Sequence, residues 1–204
     1  MSTQTGNVQV WSQPIRDRQG RLAASELLHR EAGAGAAQVS DDAIATCEVI
    51  QRVFGAGEAG HQLAAMPAFV NVDAEMLLSP RIEALPRERV VLELLETVVV
   101  DEQIIDRCRA LKALGYHLAL DDFCELRPEL MPLLELVDLI KVDVSLVDDG
   151  CLDELVERLR CFPLQLLAEK VDCRHRALRC QALSFDYFQG YYFDLPAPAA
   201  GQPH

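Results

Sequence analysis

The stretch HLALDDFCEL, residues 117–126, decides how the chain is read, because it ends an apolar run on two adjacent carboxylates, Asp121 and Asp122. Along a regular strand neighbouring side chains point to opposite faces, so both aspartates face one site only if the strand stops there. One reading is a turn, since aspartate favours strand-to-helix junctions as a helix cap. The other is a pair of ligands at a strand end, and the flanking sequence bears on the choice.

Seven more short segments, apolar and rich in β-branched or aromatic residues, surround HLALD (117–121): VQVW (8–11), RLAASELL (21–28), AFVNV (68–72), VVLELL (90–95), LIKVD (139–143), LQLLAE (164–169) and YFQG (187–190). Segments of helical period separate them. In DEQIIDRCRALKALG (101–115), Ile104, Ile105, Cys108, Leu111 and Leu114 mark one face, Asp101 suits the start and Gly115 the stop. Repeated strand-helix alternation predicts a mainly parallel sheet, and eight strands in a chain of this length predict a compact (β/α)8 TIM-like barrel. An open doubly wound sheet is the alternative. Residues 1–7 are expected to be a flexible N-terminus and 8–196 the barrel domain. The Pro/Ala/Gly-rich end, PAPAAGQPH, makes 197–204 a flexible tail or linker.

At 204 residues, 50% hydrophobic and 25% charged, the composition suits one globular domain. A net charge of -13 argues against a surface that coats DNA or RNA, because a phosphate backbone would be repelled. The seven cysteines are odd in number and contain no C-x-x-C pair, so neither a zinc site nor a disulfide framework is indicated. With no basic-then-apolar start and no membrane-length apolar run, the expected location is cytoplasmic, with no membrane contact.

Nearly every predicted strand carries a polar residue where burial should forbid one: Glu26, Asn71, Glu93, Asp121, Lys141, Glu169 and Gln189. Each alone reads as a satisfied strand-end group. In a barrel, however, the carboxyl ends of the strands converge, so the seven would meet at one mouth. Four carboxylates and Asn71, joined by Asp122, are an oxygen-rich set that suits Mg²⁺ or Mn²⁺ better than zinc. Asp121 and Asp122 are then expected to be metal ligands, one of them shared by two ions.

These residues resemble the EAL domain family of bacterial cyclic di-GMP phosphodiesterases. The resemblance runs from SQPIRDRQGRLAASELLHR through FVNVD, VVLELLET, LALDDF, LIKVD and LLAEKVD to FDYFQGYYFDLP. It implies a barrel with one reversed strand and two divalent cations, Mg²⁺ or Mn²⁺. Glu26, Asn71, Glu93 and Asp121 would hold one ion, and Asp121 with Asp122 the other. Lys141 and Glu169 would position and activate the attacking water, Gln189 would support the far side, and Arg30 would contact a ligand phosphate. The product would be linear pGpG.

The sequence also departs from the family pattern. Residues 124–130, CELRPEL, stand where a small-residue Gly-Thr-Gly-like loop is usual, and Leu126 and Pro128 resist that backbone path. Glu96 resembles the glutamate that anchors the loop. Glu-Leu-Leu replaces Glu-Ala-Leu, and AEKVD replaces Ala-Glu-Gly-Val-Glu, placing Lys170 and Asp172 where nucleobase contacts would change. The stretches from Arg30 to Asn71 and from Lys141 to Glu169 look trimmed. Such features resemble the EAL half of EAL-HDOD proteins, so the expected partners are cyclic di-GMP, a second copy in a homodimer, and a protein partner or a missing HDOD domain. Two functions follow: a phosphodiesterase slowed by the altered loop and favouring Mn²⁺, or a catalytically impaired domain serving as a cyclic di-GMP receptor or protein-interaction module.

Overall fold

The structure is a computed structural model that describes residues 9–30 and 66–199, the side chains of residues 9, 10, 29 and 30 excepted. Its strands are β1 (Gln9–Asp17), β2 (Leu22–Arg30), β3 (Ala68–Val72), β4 (Val90–Leu94), β5 (His117–Phe123), β6 (Leu139–Asp143), β7 (Gln165–Glu169) and β8 (Tyr187–Phe188), each containing or overlapping one of the eight predicted segments. From β2 to β8 every neighbouring pair is parallel. β1 closes the sheet by pairing antiparallel with both β2 and β8. The fold is therefore the expected closed eight-stranded barrel with one reversed strand. A short extra strand, β9 (Ala197–Pro198), lies against Trp11 and Ser12 of β1. The first residues beyond Pro196 are thus hydrogen-bonded to the barrel, a departure from a tail flexible from 197; residues 200–204 lie outside the described set.

Period-two alternation sorts each strand into two apolar layers. Ile15, Ala24, Phe69, Ala119, Leu139 and Leu167 point inward and plug the barrel below the mouth, with Val91 and Tyr187 packed against them. Leu27, Val70, Leu92, Leu118, Ile140 and Leu166 point outward into a larger core shared with the helices. These helices are α1 (Ala74–Leu78), α2 (Glu102–Ala113), α3 (Met131–Leu134), α4 (Asp149–Leu159) and α5 (Arg174–Ala182). On α2, Ile104, Cys108 and Leu111 are buried at the predicted spacing, and the Asp101 carboxylate accepts from the Ile104 N–H at 2.9 Å to cap the first turn. Gly115, at φ +92, lets the chain turn back into β5. Each fully buried aliphatic side chain in these layers stabilises the fold by roughly 1.5–3 kcal/mol.

Candidate active site at the barrel mouth

Seven polar side chains follow from the alternation that builds the plug. Two residues beyond Ala24, Phe69, Val91, Ala119, Leu139, Leu167 and Tyr187, along parallel strands, stand Glu26, Asn71, Glu93, Asp121, Lys141, Glu169 and Gln189. Each shares its strand's inward face and lies one layer nearer the carboxyl end, so the seven form a ring above the plug.

Lys141 occupies the centre of the ring. Its Nζ lies 2.6 Å from Glu93 Oε1, 2.7 Å from Asp121 Oδ1, 3.2 Å from Glu169 Oε2 and 3.3 Å from Glu26 Oε2. Gln189 Nε2 donates to Glu26 Oε2 at 2.6 Å. Asn71 pairs in register with Glu93 on the neighbouring strand. Among the described residues, buried Asn71 Oδ1, Glu93 Oε2 and Gln189 Oε1 have no hydrogen-bond partner.

Burial pushes the Glu93 carboxyl well above the usual carboxylate range, and Glu26 and Asp121 add to the rise while Lys141 opposes it. Asp121 is raised too, by burial first, with Lys141 opposing and Glu26 and Asp122 adding to the rise. Glu169 is pushed up to about 8, mainly by burial, against the pull of Lys141 and with help from Asp121 and Asp122. Burial works against the charged form of Lys141, but Glu93, Glu26, Glu169 and Asp121 together hold it well above the ordinary lysine value.

The two adjacent aspartates face the same mouth through a mechanism other than a strand end. β5 continues to Phe123, and its register with β6 slips between Leu120 and Phe123: Leu120 pairs with Ile140, Phe123 with Val142. Three steps on β5 span two on β6, so Asp121 and Asp122 form a bulge. Asp122 takes φ +48, a left-handed conformation that aspartate tolerates better than most residues, and this turns its carboxylate back towards the site. The expectation that the strand stops at Asp121 is corrected accordingly.

Asp122 meets a second lysine. Lys170 Nζ donates to Asp122 Oδ1, and to Asp143 Oδ2 at 2.7 Å. Although burial lowers it, these bonds and Glu169 raise the Lys170 ammonium above its ordinary value. Burial opposes the charge on Asp122, but Glu169, Lys170 and Lys141 keep its carboxyl below the usual range. Asp143 is 1% exposed; its Oδ1 also accepts from the Ser145 N–H at 2.9 Å and the Ser145 hydroxyl at 2.6 Å. The sequence reading missed Asp143 as a site residue, although it stands two residues beyond Lys141 on one strand, a spacing that puts both on the same face.

Ligand oxygens gather in two groups, each within 4.8 Å: Glu96, Asp121 and Asp122, and Asp122, Asp143 and Glu169. Glu96 is exposed, and among the described residues it has no hydrogen-bond or ion-pair partner. Arg30 ends β2, but its side chain lies outside the described residues, as do residues 31–65 of the stretch expected to be trimmed. Glu26, Asp121, Asp122, Lys141, Glu169 and Gln189 line one cavity of about 520 Å³, with Lys170 and Tyr191 on its rim. Gly190 shapes the far side. At φ +146, a Cβ there would lie 2.2 Å from the Val171 carbonyl oxygen, so only glycine lets the Gln189 strand end pass this close.

The donor chemistry provides a test of metal fit. Four carboxyl groups gather around one ammonium, and Asn71 and Glu93 offer unpartnered oxygens beside them; this oxygen-rich set fits a hard divalent cation. At Asp122 the fit is different, because an ammonium already bridges two of the nearby carboxylates. No helix among the described residues is long and apolar enough to cross a membrane.

Comparison with known proteins agrees with this architecture. YuxH of Bacillus subtilis (strain 168) is 30% identical over 196 residues, covering 94% of this chain and 48% of that protein. The cyclic di-GMP phosphodiesterase CdgJ of Vibrio cholerae is 30% identical over 193 residues, covering 92% of this chain and 44% of that protein. The chain thus spans about half the length of these two relatives. Klebsiella pneumoniae BlrP1, solved in complex with manganese and cyclic di-GMP, superimposes with a TM-score of 0.77 at 20% identity, over 98% of this chain and 58% of that one, a likeness of fold. Residues 46–196 match the EAL domain, and the chain belongs to the EAL domain family.

Proposed function

We propose that the chain is a divalent-cation-dependent phosphodiesterase that hydrolyses cyclic di-GMP to linear pGpG. The observation that supports this reading most is the buried ring, in which four carboxylates face one ammonium and unpartnered oxygens of Asn71 and Glu93 lie among them. Its similarity to CdgJ, a cyclic di-GMP phosphodiesterase, points the same way. Glu26, Asn71, Glu93 and Asp121 would hold one Mg²⁺ or Mn²⁺; the family resemblance would put a second at Asp121 and Asp122, where the Lys170 ammonium already bonds Asp122. When bound, a divalent cation stabilises charge developing on phosphodiester oxygens and lowers the pKa of water.

The residues of the chain do the rest. Glu169 orients water and accepts its proton, since a carboxyl beside a bound cation ionises more readily than the same group without one. Lys141 supplies a fixed positive charge without taking a coordination position. Gln189 fixes the Glu26 carboxylate through its 2.6 Å bond. Arg30 would supply a charge-assisted phosphate contact, and Glu96, which lines a pocket with Cys124, Glu125 and Arg127 of the loop after β5, would be placed to anchor that loop on ligand binding.

A second reading, a receptor that binds cyclic di-GMP without turnover, is favoured by the Lys170 contact with Asp122. Purified protein incubated with cyclic di-GMP and Mg²⁺ or Mn²⁺, with chromatography of the linear product beside calorimetric binding, separates the two. Product that disappears in Glu169→Gln while binding persists supports the enzyme; binding without product supports the receptor. No binding under either Mg²⁺ or Ca²⁺ leaves only a protein-interaction module. Pairing of barrels in a homodimer belongs to the same reading and is checked by light scattering.

A further inference from the structure

Among the described residues, two lysines sit among the carboxylates of the mouth, and only Lys141 has a role in the proposed chemistry. Lys170 follows Glu169 directly, at φ +55, a backbone region a long side chain rarely adopts. That conformation carries its stem back over the mouth, where Nζ bonds both Asp122 Oδ1 and Asp143 Oδ2. The same two carboxylates and Glu169 form one of the two groups whose oxygens lie within 4.8 Å of one another. A cluster of three carboxylates and a shared cation therefore already exists on this side of the ring, built from the chain itself.

We propose that the Lys170 ammonium takes the place of a second divalent cation, so that this mouth binds a single metal ion. The assignment rests on the phosphodiesterase reading for the first ion, held by Glu26, Asn71, Glu93 and Asp121. A tethered ammonium within hydrogen-bond reach of Asp122 and Asp143 offsets part of the charge that would attract a second ion, and it competes with that ion for the oxygens it bonds. An ammonium offers hydrogen bonds and charge but no coordination positions, so it steadies Asp122 and the developing phosphate charge without activating a second water. Lys170 is in this sense a positioning residue that sets metal stoichiometry.

Metal content provides the test, because a purely structural lysine would leave it unchanged. Equilibrium dialysis against Mn²⁺, with electron paramagnetic resonance to detect spin-coupled ions, should give one tight ion in the native chain and one in Lys170→Arg, which keeps a cation. Lys170→Gly, which suits the positive φ, should bind a second Mn²⁺ at least about tenfold more tightly than the native chain does, with a spin-coupled signal, because the competing charge is gone. Two tight ions in the native chain, or one in Lys170→Gly, would overturn the assignment and leave the phosphodiesterase reading intact. No tight ion in any of the three chains would overturn both.

Discussion

Lys141 and Lys170 bridge carboxylates at the same barrel mouth, yet their side chains are 2% and 47% exposed. The first stands on the inner face of a central strand, ringed by Glu26, Glu93, Asp121 and Glu169; the second leans in from a strand-to-helix turn and holds Asp122 and Asp143. The difference is one of solvent. A buried ammonium among buried carboxylates has no substitute in water, so its removal strands the whole ring. A half-exposed one competes with water and ions, so its removal shifts what the carboxylates bind more than whether the chain folds.

The sharpest way to break this comparison is Lys141→Met, which keeps the stem and removes the charge. Stability in EDTA, measured by urea unfolding, should fall by about 3–5 kcal/mol, with protonation of Glu93 and its neighbours limiting the loss. Added Mn²⁺ should recover part of the deficit, because a cation then replaces the missing charge. A loss under about 1 kcal/mol would show that the ring does not depend on its central ammonium.

Gly190 tests the same turn from the opposite side. Lys170 and Gly190 both have positive φ and flank Val171, whose N–H donates to the Gln189 carbonyl at 3.1 Å and whose carbonyl accepts from the Tyr192 N–H at 3.0 Å. At Gly190 a side chain meets backbone; at Lys170 one is present. Gly190→Ala should therefore cost about 2–4 kcal/mol, from overpacking and left-handed strain together, read by thermal unfolding. A native-like melting temperature would mean that the Val171 backbone yields easily.

Asp143→Asn is gentler. One oxygen can still accept from Ser145, but Lys170 loses a charged partner, so a loss of about 1–2 kcal/mol is expected in the same urea experiment. A neutral outcome would show that Ser145 alone holds the end of β6 in place.

How much of this could be read from the sequence depends on which interactions fix each residue. The ring was legible because period two is a local rule: a polar residue two steps past Phe69 or Leu167 must share its face, whatever the rest of the chain does. The barrel was legible for the same reason, repeated strand by strand. Asp122 was legible as a residue of the mouth but not in its geometry, since the bulge that turns it inward is a register slip against β6, and register belongs to the pair of strands. Lys170 was visible as a departure, but its partners lie 48 and 27 residues away, across two other strand ends. Closure of the mouth brings them together. Asp143 was the avoidable miss, because alternation from Lys141 places it.

The smallest effect expected is the stability change on Lys170→Gly, and it separates the two lysines most finely. Three contributions nearly offset. Glycine at φ +55 removes left-handed strain of order 1 kcal/mol. It also loosens the unfolded chain, which costs roughly 0.5–1 kcal/mol. Loss of the half-exposed pair with Asp122 costs about 0–1 kcal/mol, and loss of the pair with buried Asp143 about 1 kcal/mol, since the Ser145 N–H and hydroxyl still satisfy that carboxylate. The urea midpoint should therefore move by no more than about 1–2 kcal/mol in equivalent stability, and addition of Mn²⁺ should stabilise this variant more than the native chain. A loss of more than about 3 kcal/mol would place Lys170 beside Lys141 as an internal counterion of the fold. The contrast between a fixed buried cation and an exchangeable one at the rim would then fail.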